Sequence, residues 1–179
     1  YSFTSAPSDD FLEFYSIKVS DGAFTEKFKY VQPGDTMEVG KVATGTLVED
    51  YLSPNGRRLW LMATGTGIAP FMSLIRQSDI FKSYKQVFVT WTVRKPQDLQ
   101  AYKSFILNTT SVTLFPTVTQ DPTYIGYHGR IQNYLKPSTG SANYLPELNP
   151  ELDRVMLCGS MEFNNDIKEL LEAKGFTEG

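Results

Sequence analysis

Between Leu59 and Lys174, short apolar runs alternate with stretches whose apolar residues recur every three or four positions. This alternation restricts the fold more than any other feature of the chain. The runs are 59–62, 87–91, 112–115 and 155–158, and the helical stretches are 71–76, 96–107, 130–135 and 162–174. Apolar strands of this length separated by helices predict a parallel sheet covered on both faces. In the last helix Phe163, Ile167, Leu170, Leu171 and Lys174 share one side, Ser160 is the expected N-cap and Gly175 the expected stop. Such sheets bind ligands at the carboxyl ends of their strands. The segments 64–67, 93–94, 119–120 and 158–162 all follow strands and are expected to crowd one edge.

The sharpest local motif is Ala63-Thr64-Gly65-Thr66-Gly67-Ile68-Ala69-Pro70. Phe71, Leu74 and Ile75 follow it at the spacing of one helix face, and Pro70 suits a first helical turn, where its missing N–H costs nothing. Strand, glycine turn and helix together aim unpaired N–H groups and a positive dipole end at an anion, typically a nucleotide phosphate. A GTG turn by itself serves equally as a tight connection.

Upstream the period is different. Residues 1–5 suggest a strand, and 11–19 partly alternate, with Leu12, Phe14, Ser16 and Lys18 on one face and Phe11, Glu13, Tyr15, Ile17 and Val19 on the other, as in a β-barrel wall. A turn at Asp21-Gly22, helical spacing over 24–30, a turn at Gln32-Pro33-Gly34-Asp35 and strands over 36–42 and 43–48 complete this half. Ser53-Pro54-Asn55-Gly56 is the expected boundary, dividing the chain into 1–56 and 57–179. Residues 136–151, rich in Pro, Ser and Asn, are expected to form a surface loop.

Composition narrows the chemistry. With 179 residues, 41% of them hydrophobic, the chain can build one large core or two small ones. One cysteine and one histidine exclude a disulfide and a multi-cysteine metal centre within the chain, and argue against a zinc site or a histidine triad. A net charge of −3 without a Lys/Arg run argues against nucleic acid as a partner. No apolar run is long enough to span a membrane, and residues 1–7 lack a signal-peptide pattern, so a cytoplasmic location is expected. Demanding chemistry must therefore come from a bound organic cofactor.

Together these segments resemble the bacterial ferredoxin/flavodoxin–NADP⁺ reductases. The resemblance is carried by YSFTSAP at 1–7, LEFYSIKVSDGAFT at 12–25, KVATGTLV at 41–48, ATGTGIAPFMSLIR at 63–76, VR at 93–94, PTVT at 116–119, GRI at 129–131 and VMLCGSME at 155–162. It implies part of an FAD-binding β-barrel followed by a parallel α/β NADP-binding domain. It places Tyr1 against the flavin ring and Ser2 on the flavin's ribityl and phosphate groups. Tyr15, Ser16, Ile17 and Lys18 match the next flavin strand, and Ala23, Phe24 and Thr25 the turn that takes the FAD pyrophosphate. Thr66 matches the threonine between flavin and nicotinamide, and Gly65 and Gly67 let the NADP pyrophosphate approach the backbone. Val93 and Arg94 end the second strand, where an arginine takes the 2′-phosphate that separates NADP from NAD. Thr119, Gln120 and Arg130 match further positions of the NADP site. Cys158 lies beside the expected nicotinamide, followed by Gly159, Ser160, Met161 and Glu162. Tyr1, Thr66 and Cys158 are thus the expected catalytic group.

The resemblance implies hydride transfer between NADP(H) and FAD and single-electron exchange between FAD and ferredoxin or flavodoxin, by a monomer that meets its acceptor transiently. Three departures qualify it. No arginine or barrel strand stands before Tyr1, and the chain stops short of the family's C-terminal tail, which implies a fragment or a chain needing a partner segment. Gln120 replaces an arginine, so the preference for NADP over NAD is expected to fall about tenfold or more. Three other readings stay open: a related reductase with an oxygenase or haem acceptor, a non-catalytic nucleotide-binding module, and a purely structural α/β domain.

Overall fold

The computed structural model describes residues 1–18, 22, 25–52, 56–77, 79–135 and 145–178. Its helices are α1 (Thr25–Phe28), α2 (Ile68–Arg76), α3 (Ile80–Ser83), α4 (Lys103–Asn108) and α5 (Met161–Ala173). Its strands are β1 (Arg58–Thr64), β2 (Gln86–Val93), β3 (Val112–Val118), β4 (Tyr127–His128) and β5 (Asp153–Cys158). β1 lies between β2 and β5, and the order across the sheet is β4-β3-β2-β1-β5. Every pairing is parallel.

Alternation along β1 feeds two cores. Leu59, Leu61 and Ala63 join Phe71, Met72 and Ile75 of α2, Ile80 of α3 and Ile106 of α4. Trp60 and Met62 meet Phe163, Ile167 and Leu171 of α5 on the other face. Each fully buried side chain of this size contributes about 1.5–3 kcal/mol, so β1, buried on both faces, anchors the sheet. At one end Arg58 forks onto fully buried Asp153, with Nε 2.5 Å from Oδ1 and Nη2 2.7 Å from Oδ2, joining β1 to β5.

The ends of α5 follow from its sequence. Ser160 Oγ accepts a hydrogen bond from the Phe163 amide at 3.2 Å, an N-cap that contributes about 1 kcal/mol. Gly175 takes φ +89°, and the Phe176 amide donates back to the Leu171 carbonyl, which closes the helix. α2 begins three residues earlier than its apolar spacing suggests, at Ile68.

Elsewhere the structure departs from the sequence expectation. The helix expected over 96–107 divides into a 3₁₀ turn, Pro96–Leu99, and α4, because Tyr102 leaves helical geometry (φ −132°, ψ −6°) and sets its ring edge-on to Tyr15, 5.2 Å between centroids. The stretch 130–135 contracts to a 3₁₀ turn, Ile131–Asn133. α3 and β4 carry too few residues to show a period. Residues 36–48 run without a ladder and, apart from half-buried Leu47, exposed, since alternation makes a strand only where a neighbouring backbone pairs with it. Residues 1–5 and 11–18 form a single antiparallel bridge, Phe3 with Phe14, whose rings lie 4.6 Å apart. The expected turn residue Asp21, the boundary residues 53–55 and residues 136–144 lie outside the described residues. Of the expected surface loop, Leu145 and Leu148 are instead buried in the second core, where they cover its apolar floor.

The N-terminal segment is tied to the α/β unit at several points. Arg76 Nη1 lies 2.5 Å from Glu13 Oε2, Tyr102 Oη donates to Glu13 Oε1 at 3.4 Å, and Tyr15 Oη donates to the Asp98 carbonyl at 3.4 Å. Tyr15, Leu47 and Leu52 pack on the first core. Among the described residues no helix is long and apolar enough to cross a membrane.

Candidate active site

The parallel register brings the strand ends level. Ala63 of β1 lies opposite Cys158 of β5, Thr64 opposite Thr92 of β2, and Val93 opposite Val118 of β3. The turns that follow therefore meet at one edge, where the sequence expectation placed them.

The centre of that edge is the turn Gly65–Gly67. Gly65 adopts φ +51°, a left-handed conformation natural to glycine, and no atom lies within 4 Å of where its Cβ would stand. The Trp91 indole donates to its carbonyl at 2.8 Å and fixes the turn from below. Gly67 is glycine for a different reason: a Cβ there would lie 2.0 Å from the Cys158 carbonyl oxygen. The Ser160 amide donates to Thr64 Oγ1 at 3.3 Å, closing the other side. The result is a bare backbone cradle, open outward, at the N-terminus of the nine-residue α2, whose dipole turns its positive end toward it. A pyrophosphate fits such a cradle on the Gly65 side, where space is open and the positive end of α2 favours an anion.

The rim carries charge. Arg94, exposed directly after β2, makes no ion pair among the described residues. The Gln120 amide donates to the Arg94 carbonyl at 2.9 Å and the Thr119 amide to the Val93 carbonyl at 3.0 Å, so the turns after β2 and β3 are tied together. The Gly129 amide donates to the Val118 carbonyl, and Arg130 emerges beside it. Arg130 Nη1 is 2.6 Å from Glu162 Oε1 and 3.8 Å from Asp166 Oδ2. Val93 is buried, Thr119, Gln120, Ser160, Met161 and Glu162 are exposed, and Thr66 and Gly159 are half-buried.

Cys158 is half-buried, and burial pushes its thiol above its ordinary value of 9.0. It stays protonated at neutral pH, which suits packing beside a ring and not nucleophilic attack.

The residues expected at the flavin are partly gathered. The Phe3–Phe14 bridge sets 1–3 alongside 14–16, and the register, carried on by one residue, brings Ser2 opposite Tyr15. Tyr1 and Ser2 are exposed, as a stacking ring and a hydroxyl for a flavin must be, while Tyr15 is half-buried, with its hydroxyl engaged. The Ser16 hydroxyl is 3.5 Å from the Ile17 carbonyl, and Ile17 and Lys18 are exposed. Thr25 is buried at the start of α1; Ala23 and Phe24 lie outside the described residues. An exposed ring and hydroxyl beside the Phe3–Phe14 bridge fit an FAD, as the glycine cradle fits an NADP.

Sequence reasoning passed over Trp91 and Asp166. A buried indole needs a partner, and Asp166, four residues after Glu162, shares its helix face; both signals are visible in the sequence.

Comparison with known proteins agrees with this geometry. The oxidoreductase NAD-binding domain family matches residues 61–169. The chain is 40% identical to ferredoxin–NADP reductase A of Sorangium cellulosum over 192 residues, covering 100% of this chain and 68% of that protein. It is 35% identical to the flavodoxin/ferredoxin–NADP reductase of Rhodobacter capsulatus, covering 100% of this chain and 70% of that one. Among solved structures it resembles a ferredoxin NADP⁺ reductase from Neisseria gonorrhoeae with bound FAD and NADP, with a TM-score of 0.89 and 30% identity over 99% of this chain and 72% of that chain.

Proposed function

The chain belongs to the bacterial ferredoxin/flavodoxin–NADP reductase family, and from that premise we propose how its residues divide the work. It is an FAD-dependent oxidoreductase acting between NADP(H) and ferredoxin or flavodoxin. When bound, the two cofactors supply the redox chemistry: hydride passes between dinucleotide and flavin, and single electrons between flavin and the protein partner.

The protein holds, orients and shields. Gly65 and Gly67 admit the NADP pyrophosphate to the backbone and to the positive end of α2. Arg94 and Arg130, flanked by Val93, Thr119 and Gln120, take the adenosine 2′-phosphate. Tyr1 stacks on the flavin and Ser2 bonds its polar chain. Tyr15, Ser16, Ile17 and Lys18 line that flank, and Ala23, Phe24 and Thr25 take the FAD pyrophosphate. Thr66 and Cys158 keep the two reacting rings aligned and exclude water, with Gly159, Ser160 and Met161 closing the nicotinamide end. The division at 53–56 separates the flavin part, 1–56, from the dinucleotide part, 57–179. We place the protein in the cytoplasm as a monomer that meets its acceptor transiently, with neither membrane nor nucleic acid as partner.

One observation carries this reading: an open glycine cradle and two rim arginines share the edge where five parallel strands end. Its test is the 2′-phosphate. Arg94→Ala should raise KM for NADPH about tenfold by removing one charge-assisted contact, and leave KM for NADH nearly unchanged. Equal changes for both nucleotides would remove Arg94 from the site.

A further inference from the structure

The two rim arginines are not equivalent. Arg94 is unpaired among the described residues, whereas Arg130 faces two carboxylates on one side of α5, Glu162 at 2.6 Å and Asp166 at 3.8 Å. The backbone that carries both carboxylates is anchored. Phe163 and Ile167, next to them in sequence, are buried in the second core together with Ile131, the neighbour of Arg130. Gln132 Nε2 donates to Asp166 Oδ2 at 3.0 Å and holds it from the turn after β4. One cation thus stands against two anions on one helix face, Glu162 the nearer of them.

Resting on the reading of Arg130 as a 2′-phosphate ligand, we infer that Glu162, with Asp166 behind it, is a counter-ion that competes with the 2′-phosphate and so limits the preference for NADP(H) over NAD(H). This makes Glu162 a determinant against the phosphate, although the family resemblance counts it among the cofactor-binding residues. Its position in the first turn of α5 makes the exchange easy, because the helix dipole stabilises the carboxylate after the arginine has turned away. The pair is half-exposed, with side-chain exposures of 54% and 65%, so the effect is modest. It falls on the 2′-phosphate alone, since a nucleotide with a free 2′-hydroxyl has no need of the guanidinium.

The test is calorimetric titration of the full chain with adenosine 2′,5′-bisphosphate and, in parallel, adenosine 5′-monophosphate. Glu162→Gln should bind the bisphosphate about three- to fivefold more tightly and the monophosphate unchanged. Asp166→Asn, farther from Arg130, should show a smaller gain of the same sign. Both gains should vanish near 1 M salt, where the screening length falls to about 3 Å. An equal change for both ligands, or weaker bisphosphate binding in Glu162→Gln, overturns the inference. Arg130→Ala separates it from the site reading. Weakened bisphosphate binding in Arg130→Ala without a gain in Glu162→Gln overturns the counter-ion alone. Unchanged binding in Arg130→Ala overturns both.

Discussion

Gly67 shows how much one methyl group can decide. Its backbone is an ordinary right-handed one (φ −61°), so alanine is conformationally welcome, yet its Cβ would stand 2.0 Å from the Cys158 carbonyl oxygen and 2.6 Å from the carbonyl carbon. Backbone cannot yield as a side chain does. Gly67→Ala should therefore push the cradle off the end of β5, cost about 1–3 kcal/mol, and weaken NADP⁺ binding about tenfold or more. Thermal melts with and without NADP⁺ check both; an unshifted melt with intact ligand stabilisation would refute the close approach. The sequence marked Gly67 as a place where a pyrophosphate approaches the backbone; its contact with the end of β5 is legible only in the fold. So is the pairing of Arg130 with Glu162. It joins positions 32 residues apart and depends on how the turn after β4 lies along α5, which no local period records.

At the level of elements, the four long strands, α2 and α5 were legible in the α/β half, its shorter elements and the N-terminal half much less. β1, β2, β3 and β5 are apolar runs, the first two buried and the others partly so, whose partners lie within the described chain, so hydrophobicity marks them. The two-residue β4 and the buried Leu145 and Leu148 carry no period and emerge only from tertiary packing. In 36–48 the alternation is present but no ladder forms, because pairing is a property of two segments and periodicity of one. The junction of β1 and β5 also goes beyond apolar pattern. Asp153 is fully buried and receives both Arg58 nitrogens and the Asn149 amide at 2.7 Å. Asp153→Asn leaves the guanidinium half-partnered and should cost about 3 kcal/mol, lowering Tm by about 6–12 °C. A melt within about 2 °C of the parent would show that water replaces the carboxylate without penalty.

For the molecule as a whole, pH acts on the seam between the N-terminal segment and the α/β unit. Burial raises the phenols of Tyr15 and Tyr102 above their ordinary value of 10.0, with Asp98 adding to the shift of Tyr15 and Glu13 to that of Tyr102. A raised native value means that the folded state holds the proton more tightly than the unfolded one. The contribution of these two rings is accordingly complete below pH 10 and lost as pH rises through the raised values. Tyrosinate absorbance and near-ultraviolet circular dichroism should show the seam loosening above pH 10. Tyr102→Phe, which keeps the ring against Tyr15 and removes the titrating hydroxyl, should move that loosening upward. Coincident transitions in parent and variant would place the alkaline event elsewhere.

The contact between Gly67 and the Cys158 backbone also sets the order in which the chain becomes competent. Thr64 and the Ser160 amide that closes its side of the cradle are 96 residues apart. A ribosome therefore finishes β1, the glycine turn and α2 long before it makes the strand against which they rest. Until β5 emerges, one side of β1 lacks its neighbour and the apolar faces of Trp60 and Met62 lack the cover of α5. A chain stalled in that interval already carries the glycine turn and both rim arginines, but not the β5 backbone and Ser160 amide against which the turn is set.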